Sequence, residues 1–477
     1  TTGLIPRNLT SGKDIWNAQD AAADNYPFMV LTAAITDKAL FEGRMLDMLR
    51  IETELTSRIG ALPDTWSFSK QDFENPEVNI NSIMFGSSEY LKDGLLPLTE
   101  WLGDSPWSER MISILDAMWA NAHIETEFGN MVSTNMEVNG EMLQVLSRMY
   151  WMTGEDKYLD WATIIGNYYL MGNHHPTRDF ERLKLRDHGC EIISGLCELY
   201  ATLSEVNPSL RMKFKAPVHE MIDRILEAGR NDDGLFYNAI NPQSGEIVDQ
   251  RMSDNFGYNL NGIYTVFLVD GTESYRLAAQ KTLASLNGKY NNFLWEGSSG
   301  TGSSDGYADA IEGALNIFNR EPVPSAARWI DSETQVMWSK QQESGIVEGW
   351  HGDGNFARTT IMYCLWKTQG ITIDPWREDV KFSAIALNDS LFLSISAESE
   401  WEGKVIFDAQ RHKTAMNMPY DWPRINQFPE WFTVEKDQIY QLENEQGPRR
   451  YNGEKMAKGI KISLGTGTQL FVVSKDR

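Results

Sequence analysis

The chain has 477 residues, 42% hydrophobic and 23% charged, a globular composition too long for one ordinary core. A formal net charge of −24 argues against a nucleic-acid partner, whose phosphates this surface would repel. No apolar run approaches the roughly 18 residues of a membrane helix, so nothing reads as a span.

The opening "TTGLIPRN" lacks Met and shows no signal peptide, which suits a processed or a trimmed chain alike. From about residue 15 one pattern recurs in chain order. "ADNYPFMVLTAAI" and "DGLLPLTEWLGDSPWSERM" fit it loosely. "EVNGEMLQVLSRMYWMTGEDKY", "LRDHGCEIISGLCELY", "SDNFGYNLNGIYTVFLVDGTESY" and "SSDGYADAIEGALNIFNREP" fit it closely, and "HGDGNFARTTIMYCLWKTQG" loosely again. Each has a polar head, then apolar residues at helical spacing, then a short break such as "MTGEDKYLDWA" that starts a second helix. Such units predict six or seven helical hairpins over residues 1–375, which stack into a solenoid or close into a ring, closure being inferred from their number.

The heads carry the chemistry. Aligned on Val145, Gly195, Gly262 and Gly313, the position eight residues earlier is acidic in all four: Glu137, Asp187, Asp254 and Asp305. In the looser units the same place holds Asp24 and Asp353, with Ser88 the exception. Four residues before the anchor stand Glu141, Glu191, Tyr258 and Asp309. Capping of a helix N-terminus accounts for one acid per helix. It does not account for a second one, nor for the accompanying Asn25, His188, Asn255, Asn259 and Arg358. These heads are expected to gather on one rim as a shared polar pocket.

The stretch "GNHHPTRDFERLKLRDHG" places His174, His175, Arg178 and Arg186 just before the Asp187 head. In an acidic protein such a basic loop suits recognition of a carboxylate or sulfate, which arginine grips in a bidentate manner. No third ligand follows the His-His pair at a recognisable spacing, so no metal or other cofactor is expected. Cys190 and Cys197 lie two turns apart on one helix and cannot pair, and with Cys364 they read as buried thiols. "GSSGTGSSDG" lacks a preceding strand and a Lys-Thr ending, and reads as a rim loop leading to Asp305.

Beyond residue 375 the pattern changes. "VKFSAIALNDSLFLSISAE" alternates around an Asn-Asp turn, and "GKVIFDAQ", "KGIKISLG" and "TQLFVVSK" read as further strands. Residues 376–477 are therefore expected to form a small antiparallel β-sandwich. The Pro- and aromatic-rich "NMPYDWPRINQFPEW" either reaches over the ring or covers the domain junction, the second being expected.

The heads "ADNYPF", "RDHGCEIISGL", "SDNFGYN" and "SSDGYADAIEG", followed by a short β-domain, resemble bacterial (α/α)-barrel carbohydrate-active enzymes. They are most similar to the exo-β-glucuronidases of glycoside hydrolase family 154 and a related oligosaccharide dehydratase of ulvan-degrading bacteria. The resemblance implies action on a non-reducing-end glucuronate of an acidic oligosaccharide, no required metal, and a secreted or periplasmic setting. A homodimer is compatible with it.

Three functions follow as expectations. The first is hydrolysis by carboxylates drawn from Glu137, Asp187, Asp254 and Asp305. Here Asp24, Asn25, Glu191, Asn255, Asn259, Asp309, Asp353 and Arg358 line the sugar site, and His174, His175, Arg178 and Arg186 hold the uronate. The second is β-elimination, as in a lyase or dehydratase, with arginine neutralising the uronate carboxylate and His174, His175, His188 or Tyr258 taking the proton. The third is a glycan-binding protein without catalysis.

Overall fold

The computed structural model describes residues 3–10, 12–297, 302–347 and 354–476. A π-helical segment Ala18–Asn25 runs directly into helix α1 (Tyr26–Thr36). Then follow α2 (Lys38–Leu40), α3 (Leu46–Thr56), α4 (Ile80–Glu89), a π-helical segment Tyr90–Leu95, α5 (Leu96–Leu102) and α6 (Pro106–Ala120). The series continues with α7 (Met136–Thr153), α8 (Asp156–Leu170), α9 (Glu191–Val206), α10 (Pro208–Ala228) and α11 (Phe256–Asp270). It ends with α12 (Glu273–Leu286), α13 (Ser304–Phe318), α14 (Pro324–Trp338) and α15 (Asn355–Thr368).

Alternate helices form an inner ring. The continuous helix Ala18–Thr36 packs on Ile80–Leu102, which packs on α7. The ring then passes through α9, α11, α13 and α15, and α15 closes it by packing on α1. Helices α3, α6, α8, α10, α12 and α14 make the outer layer. Among the described residues the architecture is thus an (α/α) barrel of six hairpins and a seventh inner helix.

The inner helices are buried almost all round: every residue of α9 from Glu191 to Leu203 is buried. Such burial needs small residues where backbones meet. A Cβ on Gly195 would lie 2.4 Å from the Gly140 carbonyl oxygen, and one on Gly313 2.6 Å from Gly257 Cα. Two of the alignment anchors are therefore contact points between neighbouring inner helices. Cys364, expected buried, is exposed, because no outer helix follows α15.

A second core belongs to an antiparallel sandwich. One sheet has five strands in the order Val380–Leu387, Ser390–Ala397, Gly467–Lys475, Ile439–Asn444 and Gly447–Asn452. The other has Thr372–Asp374, Trp401–Ile406 and Ile460–Leu464. The expectation that the aromatic-rich loop covers only the domain junction is wrong. Residues 410–431 enter the ring from the C-terminal ends of its inner helices, where Asn417 Nδ2 bonds the Met152 carbonyl and Asn319 Nδ2 bonds that of Glu430. Trp422, Arg424, Ile425 and Asn426 are each only 1% exposed. Trp422 donates to Glu198 at 3.1 Å, Arg424 stands 3.2 Å from Glu100, and Asp421 accepts from Arg320 at 2.9 Å. Aromatic bulk and satisfied charges carry the loop inward where a shorter, polar loop would remain outside. The ring is plugged from below.

Candidate active site

Above the plug, at the N-terminal ends of the inner helices, lies a cavity of about 310 Å³. This is at the lower end of the size range of small-molecule sites. Helix N-termini present unpaired N–H groups and positive dipole ends, so carboxylates are stabilised there. Eight carboxylic acids line the cavity, against four Arg or Lys side chains and His188.

Its centre is a histidine between two acids. His188 Nδ1 bonds the Glu137 carboxylate, and Nε2 lies 3.2 Å from Asp187 Oδ2. His188 has φ +67°, so its backbone sits in the left-handed region, turning the side chain back toward Glu137 at the head of α7. The bond to Glu137 and the charge of Asp187 push its pKa up to about 9, which makes it an imidazolium at neutral pH. Burial opposes the charge on Asp187, yet His188, Lys92 and Arg186 hold that carboxyl below its usual range.

The opposite wall is a chain of shared carboxylates. Asp309 accepts from Asn255 Nδ2 at 2.8 Å, Tyr258 Oη at 3.1 Å and Arg358 Nη2 at 2.6 Å. Asn255 Oδ1 in turn accepts the backbone N–H of Asp187 at 2.9 Å, joining the two walls. Tyr258 also donates to Glu312 at 2.9 Å. Burial and those two acids keep its phenol far from ionising. Asn426, from the plug, forms the floor: it bonds Arg358, Glu312 and Asp93.

Sequence reading brought many of these residues together. Asp24, Arg186, Asp187, His188, Tyr258, Asp305, Asp309 and Arg358 line the cavity, and Asp305 accepts from Asn355 at 2.7 Å. Glu137 and Asn255 stand behind them as partners. Asp254 is buried outside the lining, where desolvation pushes it up to about 8 against the pull of Arg186. Glu191 is buried too, accepts the Gly189 N–H at 2.7 Å, and is raised by burial to about 8. Asn259 serves packing by bonding the Leu185 carbonyl at 2.7 Å, and Asn25 lines a separate surface groove. Asp353 and part of the Gly-rich rim segment lie outside the described residues.

The basic loop is corrected by the structure. His174 stacks on Tyr168 with ring centroids 3.8 Å apart, and buried His175 meets the Pro217 carbonyl at 2.9 Å. Arg178 faces Glu220 on the outer layer at 3.4 Å. Only Arg186 reaches the cavity, where it pairs with Glu296 at 2.8 Å. The turns between His175 and Arg186 carry the chain from outer wall to rim.

Sequence reading missed Glu89, Lys92, Asp93, Arg7 and Asn426. Glu89, Lys92 and Asp93 have the i, i+3, i+4 spacing of a helix face, a legible signal. The π-helical turn Tyr90–Leu95 breaks the regular helical frame on which Ser88 was aligned, and the acid that lines the cavity here is Glu89. Glu89, Asp93 and Glu141 offer oxygens within 4.8 Å of one another, as do Glu89 and Glu137 with a nitrogen of His188. These are the groups that could chelate a divalent cation. Lys92, buried and 2.7 Å from Asp93, already supplies a positive charge there. Burial and the charges of Glu141, Asp93 and Glu137 drive Glu89 well above the usual carboxylate range.

No family model and no curated protein matches this chain. Solved structures align with it at low identity. An inactive variant of the alpha-1,6-mannanase GH76A of Salegentibacter sp. HEL1_6, in complex with alpha-1,6-mannotetrose, is 13% identical. That alignment covers 66% of this chain and 94% of the mannanase, with a TM-score of 0.46. A family 76 glycoside hydrolase from a bovine Bacteroides thetaiotaomicron strain is 12% identical, covering 72% and 79%, with a TM-score of 0.46. A possible member of the GH105 family from Salmonella enterica subsp. enterica serovar Paratyphi A is 13% identical, covering 57% and 76%, with a TM-score of 0.41. At such identities and TM-scores the chemistry rests on this chain's own residues.

Proposed function

We propose that this chain is a carbohydrate-active enzyme that hydrolytically removes a terminal uronate from the non-reducing end of an acidic oligosaccharide. One observation carries the reading: a single blind cavity holds two carboxyls pushed in opposite directions, Asp187 downward and Glu89 well upward. That contrast is what glycosidic cleavage needs. Glu89, the carboxyl whose surroundings favour its protonated form, is assigned to give a proton to the departing glycosidic oxygen. Asp187 remains ionised and serves the anomeric carbon, as nucleophile or as base toward water. The anomer released distinguishes the two roles.

The plug supports action at a chain end, because a ring closed below the cavity admits a terminus and not a threaded chain. Arg186 and His188 are the lining cations with the most accessible heads, and they are assigned to the uronate carboxylate. Lys92 and Arg358 are buried among acids and are not. This is the activity implied by resemblance to the family 154 exo-β-glucuronidases, with the secreted or periplasmic setting that goes with it.

Elimination needs a base. His188 is held as imidazolium and Tyr258 as phenol, so neither accepts a proton readily at neutral pH, and His174 and His175 do not line the cavity. The test is mass spectrometry of products from a uronate-capped oligosaccharide incubated in heavy-oxygen water. Free uronate carrying the heavy oxygen supports hydrolysis. An unsaturated uronate, or a product lighter by one water, overturns it in favour of elimination. Faster cleavage of a neutral cap than of a uronate cap would sink the substrate assignment, and binding without any product would leave a glycan-binding protein.

A further inference from the structure

The sandwich carries a second cavity, of about 170 Å³, at its open end. Strand alternation should make the inner face of the five-stranded sheet apolar. It is so over most of its length, where Tyr440, Leu442, Phe471 and Val473 are buried. Toward one end the same face turns polar. Arg449 stands directly across from Leu442, Asn444 follows Leu442 by two residues, and Gln469 precedes Phe471 by two. From the other sheet Lys461 closes the rim.

The charges there are unspent. Arg450, Lys458 and Lys475 pair with Asp476, Glu454 and Glu435, but Arg449 and Lys461 make no ion pair among the described residues. Among the described residues the Arg449 guanidinium hydrogen-bonds only the Gln446 side-chain oxygen, at 2.9 Å. The surrounding unit is also unlike the ring in charge. Residues 376–477 have fourteen Lys and Arg against fifteen Asp and Glu, whereas residues 1–375 have 29 against 52. A polyanion meets a weaker net repulsion over this unit than over the bulk of the ring.

We infer that this open end of the sandwich binds an acidic sugar residue of a polysaccharide, separately from the ring cavity. The Arg449 fork matches a carboxylate or a sulfate ester in bidentate fashion. The amides of Asn444, Gln446 and Gln469 serve ring hydroxyls in either direction, and the half-buried Tyr451 ring offers a flat apolar face to the sugar. The cavity volume suits one sugar residue, and among the described residues no carboxyl lines it to act as acid or nucleophile, so the site holds a unit of the polymer without cutting it. Its role is to keep the enzyme on the substrate.

The experiment is affinity electrophoresis of the full chain through gels containing a polyuronate, a sulfated galactan or a neutral glucan. Mobility in the acidic gels should be retarded, and at least ten-fold more polymer should be needed to retard the R449A/K461A double variant. Arg449→Lys, which keeps the charge and loses the fork, should fall between. Asp187→Asn and Arg186→Ala in the ring should keep full retardation, which separates this site from the cavity above. Retention of the carboxylated polymer alone, or of the sulfated one alone, identifies the group that Arg449 grips. Unchanged retardation in the double variant, loss of retardation in Arg186→Ala, or equal retention by the neutral glucan would overturn the inference. In the first case Arg449 merely guards an edge strand against strand addition.

Discussion

Replacing Asn426 by Ala removes one carboxamide from the cavity floor. Its Oδ1 accepts from Arg358 Nη1 at 2.8 Å and its Nδ2 donates to Asp93. The backbone N–H, which donates to Glu312 at 2.6 Å, survives the change. Both lost bonds involve charged partners, Arg358 buried and Asp93 half-buried, at about 1.5–3 kcal/mol each, or about 3–6 kcal/mol together. Asn426 also has φ +59°, which Asn tolerates and Ala resists by about 1–2 kcal/mol. The sum, about 4–8 kcal/mol, is on the scale of the whole stability of a typical domain. Asn426→Gly loses the same bonds without the strain and should recover about 1 kcal/mol of it. The assay is equilibrium urea unfolding followed by tryptophan fluorescence, because Trp422 and Trp431 lie in the plug itself. If Ala falls within about 1 kcal/mol of the native chain, or if Gly is no better than Ala, Asn426 does not tie the plug to the ring in this way.

Arg148→Met should cost about 3–5 kcal/mol, since it leaves buried Glu198 with the Trp422 N–H alone and Glu100 with Arg424 alone, where Arg148 had met them at 2.7 and 3.2 Å. Adding Glu198→Gln should return a substantial part, as a double-mutant cycle by urea unfolding would show. His188 should titrate near pH 9 by NMR of its ring protons, and Glu137→Gln should bring the midpoint down toward the ordinary 6.5. Its folded pKa lies above the unfolded one, so the stabilisation is complete below about 6.5 and is lost as pH rises through about 9. A midpoint that ignores Glu137→Gln would refute the pairing. Gly313→Ala should destabilise by about 1–3 kcal/mol, because the new methyl meets Gly257 of the adjacent inner helix at 2.6 Å. A thermal scan showing no loss would mean that α11 and α13 can separate freely.

What was legible in the sequence was local. A period of 3.6 with a polar head is written within twenty residues, so Asp187, Tyr258, Asp305, Asp309 and Arg358 could be placed on one rim before any coordinates. Glycine anchors were legible as a repeat, though their reason, the contact of neighbouring backbones, was not. The frame failed where the π-helical turn Tyr90–Leu95 interrupts the regular helical period, at Glu89, Lys92 and Asp93.

Tertiary structure alone decided the rest. Asn426 reaches Arg358 across 68 residues of chain and Asp93 across 333, with no periodicity linking them. The His174–Arg178 loop lies close to Asp187 in sequence and yet sits on the outer layer, because a few residues of turn suffice to cross from wall to rim. Charge states belong to the same class. Glu89 and Asp187 are both carboxyls, and only the burial and the neighbours that the closed ring assembles drive one up and the other down. Side-chain periodicity is a property of one helix, whereas a cavity is a property of seven of them meeting.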